Sequence, residues 1–282
     1  MPDIDYFADL HTNVQQALAE DIGTGDLSAD FLPETANAQA WVLLKQDAVV
    51  CGRPWFDEVM RQVDSAIHVT WHCHEGDALP SGSRVCEITG PATAILSAER
   101  SALNFLQTLS GTATVTQHYV EALKGFGTHL LDTRKTLPGL RLAQKYAVHC
   151  GGGTNHRVGL YDAILLKENH LMAAGGLLQA VKMARQKHPG KTLEVETETL
   201  TEVEQALQAG ADIIMLDNFT LSNIRTAVKM VNRKAKLEVS GNVELAHLVE
   251  LADTGVDFIS TGAITKHLQA IDYSMRFHLE TD

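Results

Sequence analysis

The chain has 282 residues, 45% of them hydrophobic and 21% charged, with a formal net charge of −12. That length exceeds one small core and calls for two domains, or a barrel with an appendage. The acidic balance argues against non-specific nucleic-acid binding, no apolar run reaches membrane-spanning length, and the start M-P-D-I-D-Y-F shows no signal-peptide pattern, so a cytoplasmic protein is expected.

In chain order, residues 4–20 carry Ile4, Phe7, Leu10, Val14 and Leu18 at helical spacing and predict an amphipathic helix. D-I-G-T-G-D (21–26) reads as a turn-rich loop. Strands are expected over 38–50, 67–73 and 84–90, with the turn cluster E-G-D-A-L-P-S-G-S (75–83) before the last. His72, His74 and Glu75 invite a metal reading, but no second ligand pair follows at a fitting spacing, so an exposed strand face is expected. Cys51, Cys73, Cys86 and Cys150 show no C-x-x-C spacing and read as reduced thiols. A helix from Ser97 should bury Ala102, Phe105, Leu106 and Leu109 and turn Arg100, Asn104 and Gln107 to the opposite face, with Gly111 a point of interruption.

From residue 127 the texture changes to short strand, loop and helix, repeated. Strands are expected at 128–131, 163–166, 193–195, 213–216, 236–239 and 258–259, and helices at 177–187, 203–209, 221–231 and 243–252. Polar or small residues end every strand, which favours a parallel β/α barrel over an open sheet, where ligand groups gather at one switch point.

The strand ends carry the chemistry. D-T-R-K-T-L-P-G-L-R (132–141) offers Thr133, Arg134, Lys135 and Arg141, and the next units add His156, Arg157 and Lys167. Cations clustered against a negative global charge suit an anionic ligand. The glycines of G-G-G-T-N-H-R (151–157) allow two readings, a helix stop or a phosphate cradle. Lys167 can be a charged donor or, in a lyase, a Schiff-base former. Glu196 and Asp217 end consecutive strands, where carboxylates hold ribose hydroxyls or Mg²⁺ or steady a developing carbocation; helix N-capping is the bland alternative for Asp217. Glu194 shares the parity of Glu196 and should also face inward. Ser240, Gly241, Asn242, Thr261, Gly262 and Ala263 stand where barrels commonly bind a phosphate.

Together with A-L-A-E-D-I-G-T-G-D-L-S, S-A-E-R-S-A-L-N, L-L-K-E-N-H, L-E-V-E-T-E, M-L-D-N-F, V-S-G-N and I-S-T-G-A, these motifs closely resemble the quinolinate phosphoribosyltransferase family, over nearly the whole chain. The resemblance implies an N-terminal α/β sandwich domain (1–111), an incomplete β/α barrel (112–267), and a C-terminal segment (268–282) that packs back on the first domain. It implies transfer of phosphoribosyl from 5-phosphoribosyl-1-pyrophosphate (PRPP) to quinolinate with decarboxylation, PRPP-bound Mg²⁺, and a homodimer or larger assembly. Arg100, Arg134, His156 and Arg157 would then face quinolinate, with Arg100 reaching a neighbour's site. Lys135 and Lys167 would balance anionic charge. Glu196 and Asp217 would hold ribose and, weakly, the metal, and 240–242 with 261–263 the 5′-phosphate. Rival readings are a transferase for another aromatic acid and a Schiff-base lyase using Lys167.

Overall fold

The computed structural model describes residues 4–33, 35–241 and 243–279. The chain clusters into two compact units. One comprises chiefly His118–Lys135 and Gly153–Lys266; the other comprises Asp5–Gln117, Thr136–Gly152 and the segment beginning at His267. The change from one unit to the other falls at 117/118, and Thr136–Gly152 groups with the N-terminal unit.

The N-terminal unit starts with the helix Leu10–Ile22, later than residue 4, because Asp5 turns the chain by accepting from the Phe7 amide at 3.1 Å. Strand β1 (Asn37–Leu44) alternates strictly, burying Ala38, Ala40, Val42 and Leu44. The expected strand over 38–50 breaks after Leu44 and resumes as β2 (Ala48–Val49), which pairs with β4 (Ala78–Leu79) in a separate ribbon. β3 (His68–Trp71) and β5 (Arg84–Pro91) complete the chain's antiparallel run in this unit. Their apolar faces pack on Trp55, Phe56, Val59 and Met60 of the helix Arg53–Val63 and on a helix over Ala92–Ala122. That second helix starts five residues before Ser97 and passes through Gly111 without interruption. Gly111 is a packing glycine: a Cβ there would sit 2.4 Å from the Gln269 carbonyl oxygen.

The other unit is built on six parallel strands among the described residues: β6 (His129–Leu131), β7 (Ile164–Leu166), β8 (Leu193–Thr197), β9 (Ile213–Asp217), β10 (Lys236–Ser240) and β11 (Phe258–Ser260). Their order is β6-β11-β10-β9-β8-β7. The last strand thus returns to the first, which curls the sheet round and leaves its seam between β6 and β7. A parallel bridge from Leu131 to Thr154 extends the β6 edge into that seam. This is an incomplete β/α barrel. Outward residues such as Leu193, Val195, Ile214, Leu216 and Val239 are buried, as are Val203, Ala206, Ile224 and Ala227 on the covering helices Leu200–Ala209 and Leu221–Val231. The expected helix over 243–252 is shorter, a 3₁₀ turn at Leu245–His247 followed by Leu248–Ala252. Finally β12 (Tyr273–Leu279) returns to the N-terminal unit and pairs with β1 from Leu44↔Tyr273 to Ala38↔Leu279, giving the sheet order β12-β1-β5-β3. Among the described residues no helix is long and apolar enough to cross a membrane.

Gly111→Ala is expected to lower the unfolding free energy by about 1–3 kcal/mol, as backbone must move to admit the methyl group. Gly127→Ala, where a Cβ meets nothing within 4 Å, serves as the neutral control. Urea denaturation midpoints measure both.

Candidate active site

Parallel pairing sets one row of side chains across the barrel interior. Leu166↔Val195 continues to Lys167 beside Glu196, Glu196 pairs with Met215, and Met215 with Glu238. Two residues further along both strands, Asp217 faces Ser240. Lys167, Glu196, Met215, Glu238 and Ser240, with Thr133, Arg134, Lys135, His156, Arg157, Leu165 and Ser260, border a cavity of about 270 Å³ at the C-terminal ends of the strands; Asp217 is not in its lining. The ladder has therefore brought together groups from strands and strand ends spread from Thr133 to Ser260 in the sequence.

Lys167 is ion-paired with Glu196. A Schiff-base lysine needs a neutral amine, so this pairing argues for a charged donor. Asp217 is half-buried; burial and then the charge of Glu196 raise its carboxyl above the ordinary value, against the pull of Lys167 and Lys135. Helix capping does not account for Asp217, because Thr220 caps Leu221–Val231 by accepting from the Asn223 amide at 3.3 Å. Two carboxylates held close enough to repel, with lysines beside them, suit hydroxyl groups and a hard divalent cation.

Burial and then the charge of Arg134 lower Arg157, which remains a guanidinium cation. Two guanidinium groups crowded into one cavity are relieved by an anion. The Arg157 backbone belongs to a pinned segment. Asp132, fully buried at the end of β6, accepts from the His156 amide at 2.7 Å and from Asn155 Nδ2 at 2.8 Å.

His156 Nε2 lies 2.9 Å from Glu194 Oε2 and 3.4 Å from Glu238 Oε2. Burial opposes charge on this imidazole, but hydrogen bonds and charge from the two glutamates outweigh it and carry His156 up to about 10. Burial and then the charge of Glu238 push the Glu194 carboxyl up to about 7, with His156 opposing. The Arg157 amide donates to His156 Nδ1 at 2.8 Å, which needs that nitrogen unprotonated. The geometry therefore fits a neutral ring whose Nε2–H faces the acids, against the upward pull that the two glutamates exert on its charge. His156 thus lines the cavity with both ring nitrogens already engaged, and is less available to a ligand than the sequence suggests.

The remaining candidates divide. Gly241 adopts φ +125, and a Cβ there would stand 2.5 Å from Asn218 Oδ1. A Cβ on Gly262 would stand 2.8 Å from Lys135 Cδ and 3.2 Å from Thr133 Oγ1. Thr265 Oγ1 donates to the Lys135 carbonyl at 2.7 Å, and the Ala263 amide to Thr261 Oγ1 at 3.2 Å. The loops after β6 and β11 are thereby laced together, and the loop after β10 packs on the one after β9, although Gly241, Thr261, Gly262 and Ala263 do not border the cavity itself. Asn242 lies outside the described residues. Arg141 opens the helix Arg141–Cys150 and donates to Thr136 at 3.2 Å, in the other unit. Arg100 is exposed on the helix Ala92–Ala122 of that unit. Gly151 ends the Arg141–Cys150 helix, and a Cβ there would meet the Ala113 carbonyl at 2.4 Å, so the helix-stop reading holds for the triple glycine. Sequence reasoning missed Glu238, Met215, Leu165 and Ser260. Glu238 carried a signal, a charge at the parity of Ser240 within an otherwise apolar strand.

Residues 112–276 match the quinolinate phosphoribosyl transferase C-terminal domain family and residues 21–110 the N-terminal domain family. A probable nicotinate-nucleotide pyrophosphorylase [carboxylating] of Synechocystis is 42% identical over 93% of this chain and 90% of its own. One so named from Bacillus subtilis is 40% identical over 93% of this chain and 91% of its own. The solved nicotinate-nucleotide pyrophosphorylase of Francisella tularensis superposes with a TM-score of 0.94 at 47% identity, over 98% of both chains.

The shift of the Glu194 carboxyl is upward, so the folded chain keeps a proton there that the unfolded chain has released. Its contribution is complete below the unfolded value and is lost as pH climbs through about 7. Relative to Glu194→Gln, which does not titrate, the natural protein should lose about 1–3 kcal/mol between about pH 5 and about pH 8. Urea unfolding at the two pH values measures the change; a difference that grows with pH would refute the assignment.

Proposed function

The chain belongs to the quinolinate phosphoribosyltransferase family, and from that premise we propose how its residues share the reaction. The enzyme transfers phosphoribosyl from PRPP to quinolinate in NAD biosynthesis, giving nicotinate mononucleotide, pyrophosphate and CO₂. The observation that carries the reading is the crowding of Arg134, Lys135, Arg157 and Lys167 around one cavity of a protein with net charge −12. Quinolinate is a dianion and pyrophosphate a leaving polyanion, so both ends of the reaction need cations.

Arg134 and Arg157 hold the two carboxylates of quinolinate, and orient the ring nitrogen toward the anomeric carbon. As the C–O bond to pyrophosphate breaks and the N–C bond forms, positive charge develops on the ribose. Glu196 and Asp217 stand nearest to that charge and also accept from the ribose hydroxyls. Lys135 and Lys167 balance the departing pyrophosphate. The 240–242 and 261–263 loops take the 5′-phosphate through backbone amides. After transfer the ring nitrogen is cationic; the 2-carboxylate leaves as CO₂, its electron pair stays on the ring carbon beside that nitrogen, and a proton then fills the position. Mg²⁺ entering with PRPP would be held by the carboxylates of Glu196 and Asp217 and would neutralise pyrophosphate charge. Arg100 is assigned to the site of a second copy in a homodimer or larger assembly.

The activity is tested by CO₂ and pyrophosphate release from quinolinate plus PRPP with Mg²⁺. Arg157→Ala should weaken quinolinate binding by about 2–5 kcal/mol while PRPP binding changes less; equal losses would remove Arg157 from the quinolinate side.

For Arg100, Arg100→Ala and Lys167→Ala homodimers should each be nearly inactive, and mixing the two should restore activity toward half of wild type. In the mixed dimer the Arg100→Ala chain keeps an intact barrel and receives Arg100 from its partner. No recovery on subunit exchange would place Arg100 in the site of its own chain.

A further inference from the structure

Glu194 and Glu238 are among the most completely buried charges of the barrel unit, their side chains 4% and 0% exposed. Barrel interiors are ordinarily filled by branched apolar layers, and buried acids are costly unless something needs them. Both converge on one imidazole.

The segment 154–157 fills the seam beside β6. Thr154 bridges Leu131, and Asp132 takes the His156 amide and the Asn155 side chain. On the far side, Asp162 accepts from the Val158 amide at 2.6 Å and from the Gly159 amide at 2.9 Å. Between these anchors the Arg157 amide bonds to His156 Nδ1. That ring nitrogen faces Arg157 only while Nε2 is held inward by β8 and β10. The two glutamates tie those strands to the segment through the His156 ring.

We propose that Glu194 and Glu238 are positioning residues for quinolinate recognition. They lock the His156 ring, the ring fixes the Arg157 backbone, and the backbone aims the Arg157 guanidinium into the cavity, where Nη1 also donates to the Ala163 carbonyl at 3.4 Å. The proposal rests on the assignment of Arg157 to quinolinate made above. It gives the buried acids a reason that packing alone does not: they extend a rigid strut from the far strands to the open seam.

The test compares Glu194→Leu and Glu238→Leu with Glu194→Gln and Glu238→Gln in the full-length enzyme, reading KM for each substrate, kcat, melting temperature and the ¹⁵N shift of His156 Nδ1. The leucine variants should raise KM for quinolinate about 10- to 100-fold, as expected for a binding group displaced by about an ångström, with a much smaller change for PRPP. The Nδ1 signal should lose its unprotonated, hydrogen-bonded character. Glutamine retains an acceptor for Nε2–H and should recover most of the loss. A parallel rise in both KM values, or glutamine variants no better than leucine at equal melting temperature, would overturn the proposal. Should a leucine variant fail to fold, the double glutamine variant decides, because it removes both charges and keeps both acceptors; a large rise in quinolinate KM there refutes the strut. Arg157→Ala separates the two levels. If it raises quinolinate KM while the leucine variants do not, the strut alone fails; if it does not, the underlying assignment fails.

Discussion

A parallel ladder that curls from β7 through β11 back to β6 is the constraint on which the site depends. Parallel strands end at one edge, and register fixes which side chains share a level. Lys167, Glu196, Met215 and Glu238 come from four separate strands, yet the pairing places them in one interior row. Local sequence cannot create that row. Each strand needs only enough outward Leu, Ile and Val to bury against its helix, and the inward positions are then free to carry charge.

Charge in such an interior has to be matched or it unfolds the protein. Two solutions coexist within one unit. At the mouth, lysine and glutamate pair across neighbouring strands, and the two arginines are left in mutual repulsion. That repulsion is an energetic readiness for an anion, since a bound carboxylate removes it. Deeper in the barrel, a histidine lies between two glutamates, and burial with the charge of Glu238 holds the proton of the Glu194 carboxyl above its usual range. The mouth can exchange its counter-ions with substrate, whereas the floor is closed off by burial, with both carboxyl groups turned to one imidazole. The same division explains why His156 lies in the cavity wall without offering it a free ring nitrogen.

The N-terminal unit relies on a different device, glycine at backbone contacts. Gly111 sits within a 31-residue helix that would be better served locally by alanine, and Gly151 ends another helix against the Ala113 carbonyl. In both places the missing side chain permits an approach that any Cβ would block. A glycine in a helical pattern looks like a breaker from sequence, because propensity describes the isolated helix and not the surface pressed against it.

The amino-acid sequence by itself determined the strand-loop-helix repeat, since outward apolar residues must recur at the spacing of each element. It also determined the cationic strand ends, whose residue types and order reveal the family. Glu194 and Glu238 were written there as charges at inward parity. Tertiary structure alone decided what those charges meet. Distances between side chains on different strands follow from register and closure, which are long-range properties, so the grouping of His156 with two distant glutamates was visible only in the fold. Tertiary structure likewise decided that Gly111 is a contact rather than a break, that Thr136–Gly152 groups with the N-terminal unit, and that Asp217 stands free of helix capping, because each outcome depends on a neighbour remote in the chain.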